Sequence, residues 1–344
     1  MRFLWLDGLR GIAAGYVVAF HFFEGSSKFA SFGWLAVDLF FVLSGFVLCN
    51  TITQASANGL SGLKTFVKKR FLRLYPVLIF ALLLTLLTKL AEYSFELYRG
   101  TVGDQPAFHS NELILYILSF LLLQFLYPMA ITVLVPLWSL STELYSNLLQ
   151  IILHLTGSHR RFSLGVLLGV LLVINSGVYF DVNLDWTDYN TWLFGFGRAL
   201  IGFNIGQIIW KFSGKFTRFN WRHSFFFSII GFVISVNAWV FAKDFILAPV
   251  YICFGFLVLT LSKFKNPNTT SSVYFCLKNL GETSYPIYLF HTIFLGYASV
   301  FFTTFRTFNS FIIFYSFNLI FSMIVVKCVE PKIKVLINKF LRVH

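Results

Sequence analysis

The chain has 344 residues, of which 57% are hydrophobic and only 12% are charged. This number of charged side chains is too small to cover the surface of a soluble domain. The composition therefore excludes a soluble globular protein and indicates an integral membrane protein surrounded by lipid. The formal net charge of +13 does not indicate nucleic acid as a partner, because the basic residues lie mainly between apolar runs, where they orient a chain in the membrane.

Apolar runs close to the roughly 20 residues that cross a bilayer recur along the whole sequence. No polar stretch is long enough for a separate soluble domain, so residues 1–344 are predicted to form one all-α, polytopic membrane domain. The four cysteines have neither metal-ligand spacing nor an evident pairing, and no metal is expected.

The first predicted span reads "LDGLRGIAAGYVVAFHFF" and contains Arg10 and His21. It lacks a signal-peptide cleavage pattern, so we expect it to be retained. Eleven residues on a helix correspond to about 16.5 Å of rise and about 20° of rotation, which places both side chains on one face. They are predicted to line one crevice, with His21 as a general base. The alternative is that His21 bonds a neighbouring helix and Arg10 reaches the interface.

The second span, "GWLAVDLFFVLSGFVLCN", contains Asp38 among apolar neighbours. A buried carboxylate needs a cationic partner, and Arg10 or His21 on the preceding helix is the nearest in sequence. Alternatively, Asp38 lies at the outer interface and touches water.

The segment "KKRFLRLYP" is predicted at the inner mouth of the third span. Arg70 and Arg73 are three residues apart on a helix, so their guanidinium groups point the same way and suit the phosphates of a cytosolic ligand. The alternative is that these charges only set the membrane topology.

Loop charges predict the orientation. With the N-terminus in the cytoplasm, the basic stretch 64–73 falls inside and the acidic stretch 92–112 falls outside. The basic residues 327–342 then require a cytoplasmic C-terminus, although eleven apolar segments can be counted. We therefore predict about ten full spans and one partial or re-entrant segment around Tyr127–Glu143, where Pro128 and Pro136 interrupt helical hydrogen bonding. Which of the segments between 112 and 157 crosses fully is left open.

Three later motifs also contain polar groups inside apolar runs. "WSLSTELYSNLL" contains Glu143, which orients a histidine, binds a hydroxyl or simply favours a helix N-terminus. "RALIGFNIG" contains Arg198 beside Gly202 and Gly206, which suit close helix packing. "GETSYPIYLFHTIF" contains His291, either as a ligand contact or as a packed structural group.

Taken in order, these motifs, together with the final "CVEPKIK", resemble the successive signatures of the acyltransferase-3 family of integral membrane O-acyltransferases. The resemblance extends from Leu6 to about Pro331. It implies a bundle of about ten helices that moves an acyl group, usually acetyl from cytosolic acetyl-CoA, to a carbohydrate hydroxyl at or beyond the outer face. Arg10 and His21 match the family's essential Arg and His, Arg70 and Arg73 fall on its basic motif, and Glu143 matches its acidic position.

The sequence departs from the family pattern at two places. Thr142 stands beside a single acidic residue where the family usually has two acidic or amide residues, and Phe290 replaces a Trp before the histidine. These departures affect substrate contacts. The residues expected to make such contacts are Trp138, Ser141, Arg198, Tyr285 and His291.

The resemblance and the residues together predict a mechanism. His21 acts as the base, Asp38 or Glu143 orients it, and Arg10 near the inner mouth steers the donor, while Arg70 and Arg73 hold the pyrophosphate or 3′-phosphate of acetyl-CoA. We expect a stand-alone enzyme without a fused esterase-like domain, in the cytoplasmic membrane of a bacterium. It would modify a polysaccharide or lipid-linked glycan of the cell envelope, such as an exopolysaccharide. The rival hypothesis is a transporter or flippase of a glycan or lipid-linked sugar, in which the same charges form a path without chemistry.

Overall fold

The computed structural model of the chain describes residues 2–23, 27, 30–100, 112–124, 133–155, 161–175, 191–215, 221–238, 247–301 and 306–343. Within these ranges the regular structure is entirely helical, which confirms the predicted all-α class.

Twelve α-helices follow one another in the described ranges. They are α1 (Leu4–Phe23), α2 (Ala36–Ala57), α3 (Gly59–Arg99), α4 (Glu112–Phe120), α5 (Leu137–Leu155), α6 (Arg161–Asn175), α7 (Thr191–Phe212), α8 (Trp221–Ala238), α9 (Leu247–Lys263), α10 (Ser272–Phe301), α11 (Phe308–Ile324) and α12 (Glu330–Val343). A 3₁₀-helix (Ala30–Leu35) precedes α2, and a π-helical turn (Val325–Val329) joins α11 to α12.

In the part of the chain that the structure describes, four helical segments are long and apolar enough to cross a membrane, namely Ala30–Ala57, Gly59–Arg99, Leu193–Lys215 and Phe308–Phe340. Three shorter apolar helices accompany them, at Leu164–Ile174, His223–Ile234 and Pro249–Lys263. This is the pattern of a multi-pass membrane protein. The count of about ten spans stays a prediction.

The predicted re-entrant segment lies partly outside the described residues, because 125–132 are not among them. On its N-terminal side, α4 has 9 residues, or about 13.5 Å at 1.5 Å per residue, against a hydrocarbon core of about 30 Å. On its C-terminal side, α5 begins directly after Pro136.

The helix α3 is longer than the predicted third span. It runs without interruption for 41 residues, about 62 Å at 1.5 Å per residue, and includes Pro76. The basic segment that contains Arg70 and Arg73 is therefore part of a continuous helix, and both arginines lie in its first half.

The helices α1, α2 and α10 contribute side chains to one hydrophobic core. The helix α1 packs along α10, and α2 packs along α7. Completely buried side chains from these helices join one core, among them Val18, Val42 and Ile287. A second core joins α3, α5 and α10 through Leu78, Leu137 and Leu289. The helix α10 thus contributes side chains to both cores.

Glycines set the distance between α2 and α7. A Cβ atom on Gly45 would lie 1.9 Å from the carbonyl oxygen of Phe203, and one on Gly206 would lie 2.1 Å from that of Val42. Backbones can approach this closely only where side chains are absent, as is common between membrane helices. The close-packing role predicted for Gly206 is confirmed, and it brings the polar residues of α2 next to those of α7.

Candidate active site

A cavity opens between α1, α2, α3, α5 and α10. Its polar lining includes Arg10, Ser44, Arg70, Arg73, Glu143 and Tyr285. These six residues belong to five different sequence motifs, which the fold brings to one place. The prediction that Arg70 and Arg73 point the same way is confirmed, because both line this cavity.

Arg70 is tied to Glu143 on the wall of the cavity. The Arg70 guanidinium donates from Nη2 to Glu143 Oε1 over 2.9 Å and reaches Ser44 Oγ at 3.4 Å, while the Ser44 hydroxyl donates to the same carboxylate oxygen over 2.5 Å. Arg70 is 8% exposed. The three side chains, from α2, α3 and α5, form a network that holds Arg70 in a fixed orientation.

The other two arginines are less neutralised. Arg10 lies 3.3 Å from Asp7 Oδ1, and Asp7 also accepts a 2.8 Å hydrogen bond from Arg2. Arg73 is exposed at the cavity and has no hydrogen bond or ion pair to the described residues. Three guanidinium groups therefore face one carboxylate in the lining, and the cavity has a net positive charge that suits a polyanionic ligand.

His21 lies beyond the cavity, in contact with His291. Nδ1 of His21 is 3.1 Å from Nε2 of His291, and the two ring centroids are 5.0 Å apart. His291 follows Tyr288, which lines the cavity, by three residues of α10. Arg10 therefore lines the cavity as expected, but His21 does not. The histidine pair lies about one helical turn of α10 farther along.

The hydroxyl groups of Ser139 and Tyr288 lie between the cavity and the histidine pair. They are 2.6 Å apart, and both residues line the cavity. This hydrogen bond connects α5 to α10 on the side of the cavity nearest His291.

The prediction that Arg10 or His21 pairs with Asp38 is wrong. Its carboxylate accepts two hydrogen bonds from Arg198, at 3.0 Å and 2.6 Å, and a third from the hydroxyl of Tyr251 at 2.7 Å. Asp38 and Arg198 are 0% and 1% exposed. The glycine contacts between α2 and α7 bring these two residues together, whereas Arg10 faces the cavity.

The prediction that Asp38 or Glu143 orients His21 is also wrong, because their carboxylates pair with Arg198 and Arg70. The described polar contacts of the His21 side chain are to His291 and to the carbonyl oxygen of Val17.

Four predicted substrate contacts do not line the cavity, namely Trp138, Ser141, Arg198 and His291. Arg198 is buried against the rings of Trp34, Phe194 and Trp138, whose centroids lie 5.0–5.9 Å from its guanidinium carbon. Ser141 is completely buried and donates to the carbonyl oxygen of Leu122. Of the predicted substrate-binding residues, Tyr285 is the one that lines the cavity, and its hydroxyl donates to the carbonyl oxygen of Leu74.

Sequence reasoning assigned no role to Ser139, Tyr288 or Tyr251. The first two belong to motifs that were singled out, "WSLSTE" and "SYPIYLFH", and the spacing of Tyr288 and His291 by one turn was a usable signal. Tyr251 lies in an apolar run without other polar groups, and no local signal connects it to Asp38.

Comparisons with known proteins agree with this picture. The sequence model of the acyltransferase-3 family, described as an acyltransferase domain, matches residues 3–327. The chain is 43% identical over 83 residues to "Protein 2 in picA locus" of Rhizobium radiobacter, a match that covers 24% of this chain and 44% of that protein.

A second relative is the peptidoglycan O-acetyltransferase OatA of Listeria monocytogenes serovar 1/2a. It is 33% identical over 103 residues, which cover 30% of this chain and 16% of that protein. The chain thus matches less than half the length of either curated relative. No solved structure is significantly similar to it.

The family match covers nearly the whole chain, and it includes all five helices around the basic cavity. The chain is a multi-pass membrane acyltransferase domain and belongs to the acyltransferase-3 family.

Proposed function

We propose that this protein transfers an acyl group, acetyl in the simplest case, from cytosolic acyl-CoA to a hydroxyl of a cell-surface or exported carbohydrate. The observation that carries the proposal is the convergence of Arg10, Arg70 and Arg73 on one cavity inside a membrane acyltransferase domain. Ionisable residues inside membrane domains are costly, so an excess of cations around a cavity is best explained by an anionic ligand.

The donor binds through its phosphates. Arg73 is exposed, and Arg10 forms an ion pair with Asp7, which it shares with Arg2, so these two guanidinium groups are available for the pyrophosphate or 3′-phosphate of CoA. Arg70 is positioned by Glu143 and contributes charge from the cavity wall. The thioester end then points along α10 toward the histidine pair.

His21 supplies the base. The acceptor hydroxyl gives its proton to the His21 ring as its oxygen forms a bond to the acyl carbonyl carbon, and the carbon–sulfur bond then breaks. The protonated ring returns the proton to the leaving sulfur, so the products are an ester and free CoA. The surrounding helices exclude water, which would otherwise take the acyl group.

Three further points belong to the proposal. The name of the Listeria relative, peptidoglycan O-acetyltransferase, supports acetyl as the acyl group and a carbohydrate as the acceptor. Both curated relatives are bacterial, which supports a bacterial cytoplasmic membrane. The loop charges support about ten spans with both termini in the cytoplasm.

The test is release of CoA thiol by the purified protein in detergent, supplied with acetyl-CoA and with solubilised peptidoglycan or bacterial exopolysaccharides. General base assistance is typically worth about 10²- to 10⁴-fold, so His21→Ala should reduce glycan-dependent thiol release by at least 10²-fold. The matched control is His223→Ala, because His223 is exposed on α8 and distant in sequence from the site motifs.

Normal thiol release by His21→Ala would overturn the mechanism. If the wild-type protein consumes no acetyl-CoA with any glycan, but moves a glycan across liposome membranes, the transporter hypothesis replaces this one.

A further inference from the structure

The two histidines that meet beside the cavity come from opposite ends of the chain. His21 is near the end of α1, and His291 is 270 positions later, on α10. His291 is completely buried, whereas His21 is only partly buried. The ring of His291 therefore contacts protein on all sides, while His21 retains an accessible part.

The hydrogen bonds around His291 define its protons. Its Nδ1 lies 2.8 Å from the carbonyl oxygen of Tyr288. A carbonyl oxygen can only accept, so Nδ1 carries the hydrogen, and in the neutral ring Nε2 is left as an acceptor. That acceptor faces His21.

The same reasoning applies to His21. Its Nδ1 faces two acceptors at 3.1 Å, namely Nε2 of His291 and the carbonyl oxygen of Val17. Nδ1 of His21 must therefore be the donor, and Nε2 of the neutral ring keeps a free lone pair. The Val17 oxygen lies on the same helix and already faces the backbone N–H of His21, so the bond to His291 is the one that fixes the ring from a different helix.

We propose that His291 is a positioning residue, whose Nε2 holds His21 in the tautomer and orientation that leave Nε2 of His21 as the reactive nitrogen. The proposal rests on the proposed function and deepens it, because it names the atom that takes the proton. The acceptor hydroxyl gives its proton to Nε2 of His21, the His21 ring becomes an imidazolium, and this proton passes to the sulfur that leaves the acyl carbon. Throughout, the hydrogen on Nδ1 stays in its bond to His291, and that bond becomes charge-assisted while the ring is protonated.

This arrangement has the logic of a base oriented by a third group, with a neutral imidazole in place of a carboxylate. A neutral acceptor brings no second ionised group into the membrane interior, where an unpaired charge is costly. It also accounts for the corrected positions of Asp38 and Glu143, since neither carboxylate is needed beside His21.

The first experiment compares His291→Gln with His291→Leu in the thiol-release assay, with the glycan that supports wild-type turnover. The side-chain oxygen of glutamine can accept from Nδ1 of His21, so we expect His291→Gln to keep kcat within a few-fold. Leucine cannot accept, and loss of a hydrogen bond to a charged group predicts a kcat about 10- to 100-fold lower with an unchanged KM for acetyl-CoA.

The control on the same helix is Thr292→Val. Its hydroxyl is buried and has no hydrogen bond to the described residues, so valine should leave kcat unchanged. If an active wild type is accompanied by an equally active His291→Leu variant, or if glutamine is as damaging as leucine, the proposal is wrong.

A second measurement does not depend on turnover. Nitrogen-15 NMR of histidine-labelled protein distinguishes a protonated from an unprotonated ring nitrogen, and the His21 signals are identified by their loss in His21→Ala. We expect Nδ1 of His21 to carry the hydrogen in the wild type and in His291→Gln. In His291→Leu only the Val17 oxygen still accepts from Nδ1, so we expect a larger share of the tautomer with the hydrogen on Nε2.

A wild-type spectrum with the hydrogen on Nε2 of His21 would overturn the proposal even if no variant can be purified. Because this spectrum needs no substrate, it separates failure of the positioning role from failure of the proposed acyl transfer, which would appear as absence of thiol release by the wild type.

Discussion

Arg70 and Arg198 are both arginines bound to a carboxylate inside the helix bundle, yet their surroundings differ. Arg70 meets Glu143 on the wall of a cavity that also contains Arg10 and Arg73. Arg198 meets Asp38 in a sealed core, where Tyr251 satisfies the carboxylate further. The first group has an excess of positive charge and an opening, whereas the second is neutral and closed.

This difference distinguishes a ligand-binding arginine from a structural one more clearly than the burial of the two side chains does. An ion pair that is completely enclosed and satisfied has no capacity left for a ligand, and it joins α2 to α7 and α9. Guanidinium groups that outnumber the carboxylates around a cavity keep that capacity. A charged residue in a membrane helix is therefore a functional candidate only until its partner is known.

The largest expected effect comes from breaking the closed pair. Arg198→Met leaves Asp38 charged and without its cation in the core, and loss of one partner of a buried pair typically costs about 3–5 kcal/mol. We expect the free energy of unfolding to fall by about this amount and the apparent Tm in detergent to fall sharply. Replacing both residues, as Asp38→Leu with Arg198→Met, should recover most of the loss, because no charge then stays unpaired.

The comparison fails if Arg198→Met keeps the wild-type Tm but loses thiol release. Arg198 would then act on substrate, as the sequence predicted. Arg73→Ala is the contrasting variant, since removal of an exposed cavity residue should leave the Tm unchanged.

A smaller effect is expected from the open group. Arg73→Ala removes an exposed cation from the cavity, and a charge-assisted hydrogen bond is worth about 1.5–3 kcal/mol, so the KM for acetyl-CoA should rise about 10- to 100-fold. Arg70→Ala combined with Arg73→Ala should raise it further. The measurement is the initial rate of thiol release at varied acetyl-CoA, with kcat changed less than KM.

The matched control for Arg73 is Lys69→Ala, because Lys69 is exposed on the same helix and does not line the cavity. An equal rise in KM for both variants would indicate a general effect of surface charge. An unchanged KM in the double arginine variant would remove α3 from the donor site.

The sequence predicted well what depends on local pattern. The first helix, the shared direction of Arg70 and Arg73 and the close-packing Gly206 all follow from helical periodicity and residue size. The full length of α3 did not follow, because the sequence places its polar first half only at the mouth of a span and gives no signal that one helix continues for 41 residues.

The contacts between residues far apart in sequence could not be predicted, for a different reason. Asp38 and Arg198 are 160 positions apart, and His21 and His291 are 270 apart. Helix periodicity says which residues share a face, but it does not say which helix that face will meet. Proximity in sequence therefore assigned Asp38 to the preceding helix, whereas packing of α2 on α7 assigned it to Arg198.

The smallest predicted effect concerns Glu143, which belongs to the open group but lowers its charge. Glu143→Gln keeps an oxygen that can accept from Ser44 and Arg70, and it removes one negative charge from the cavity wall. Two unit charges about 4 Å apart interact by about 1 kcal/mol in water, so the KM for acetyl-CoA should fall about 2- to 5-fold, with kcat within about 3-fold of the wild type. The change in KM should shrink as ionic strength increases, because salt screens partly exposed charges. A loss of kcat of about 10²-fold would instead show that Glu143 takes part in the reaction. The carboxylate would then act on the reacting groups in addition to holding Arg70.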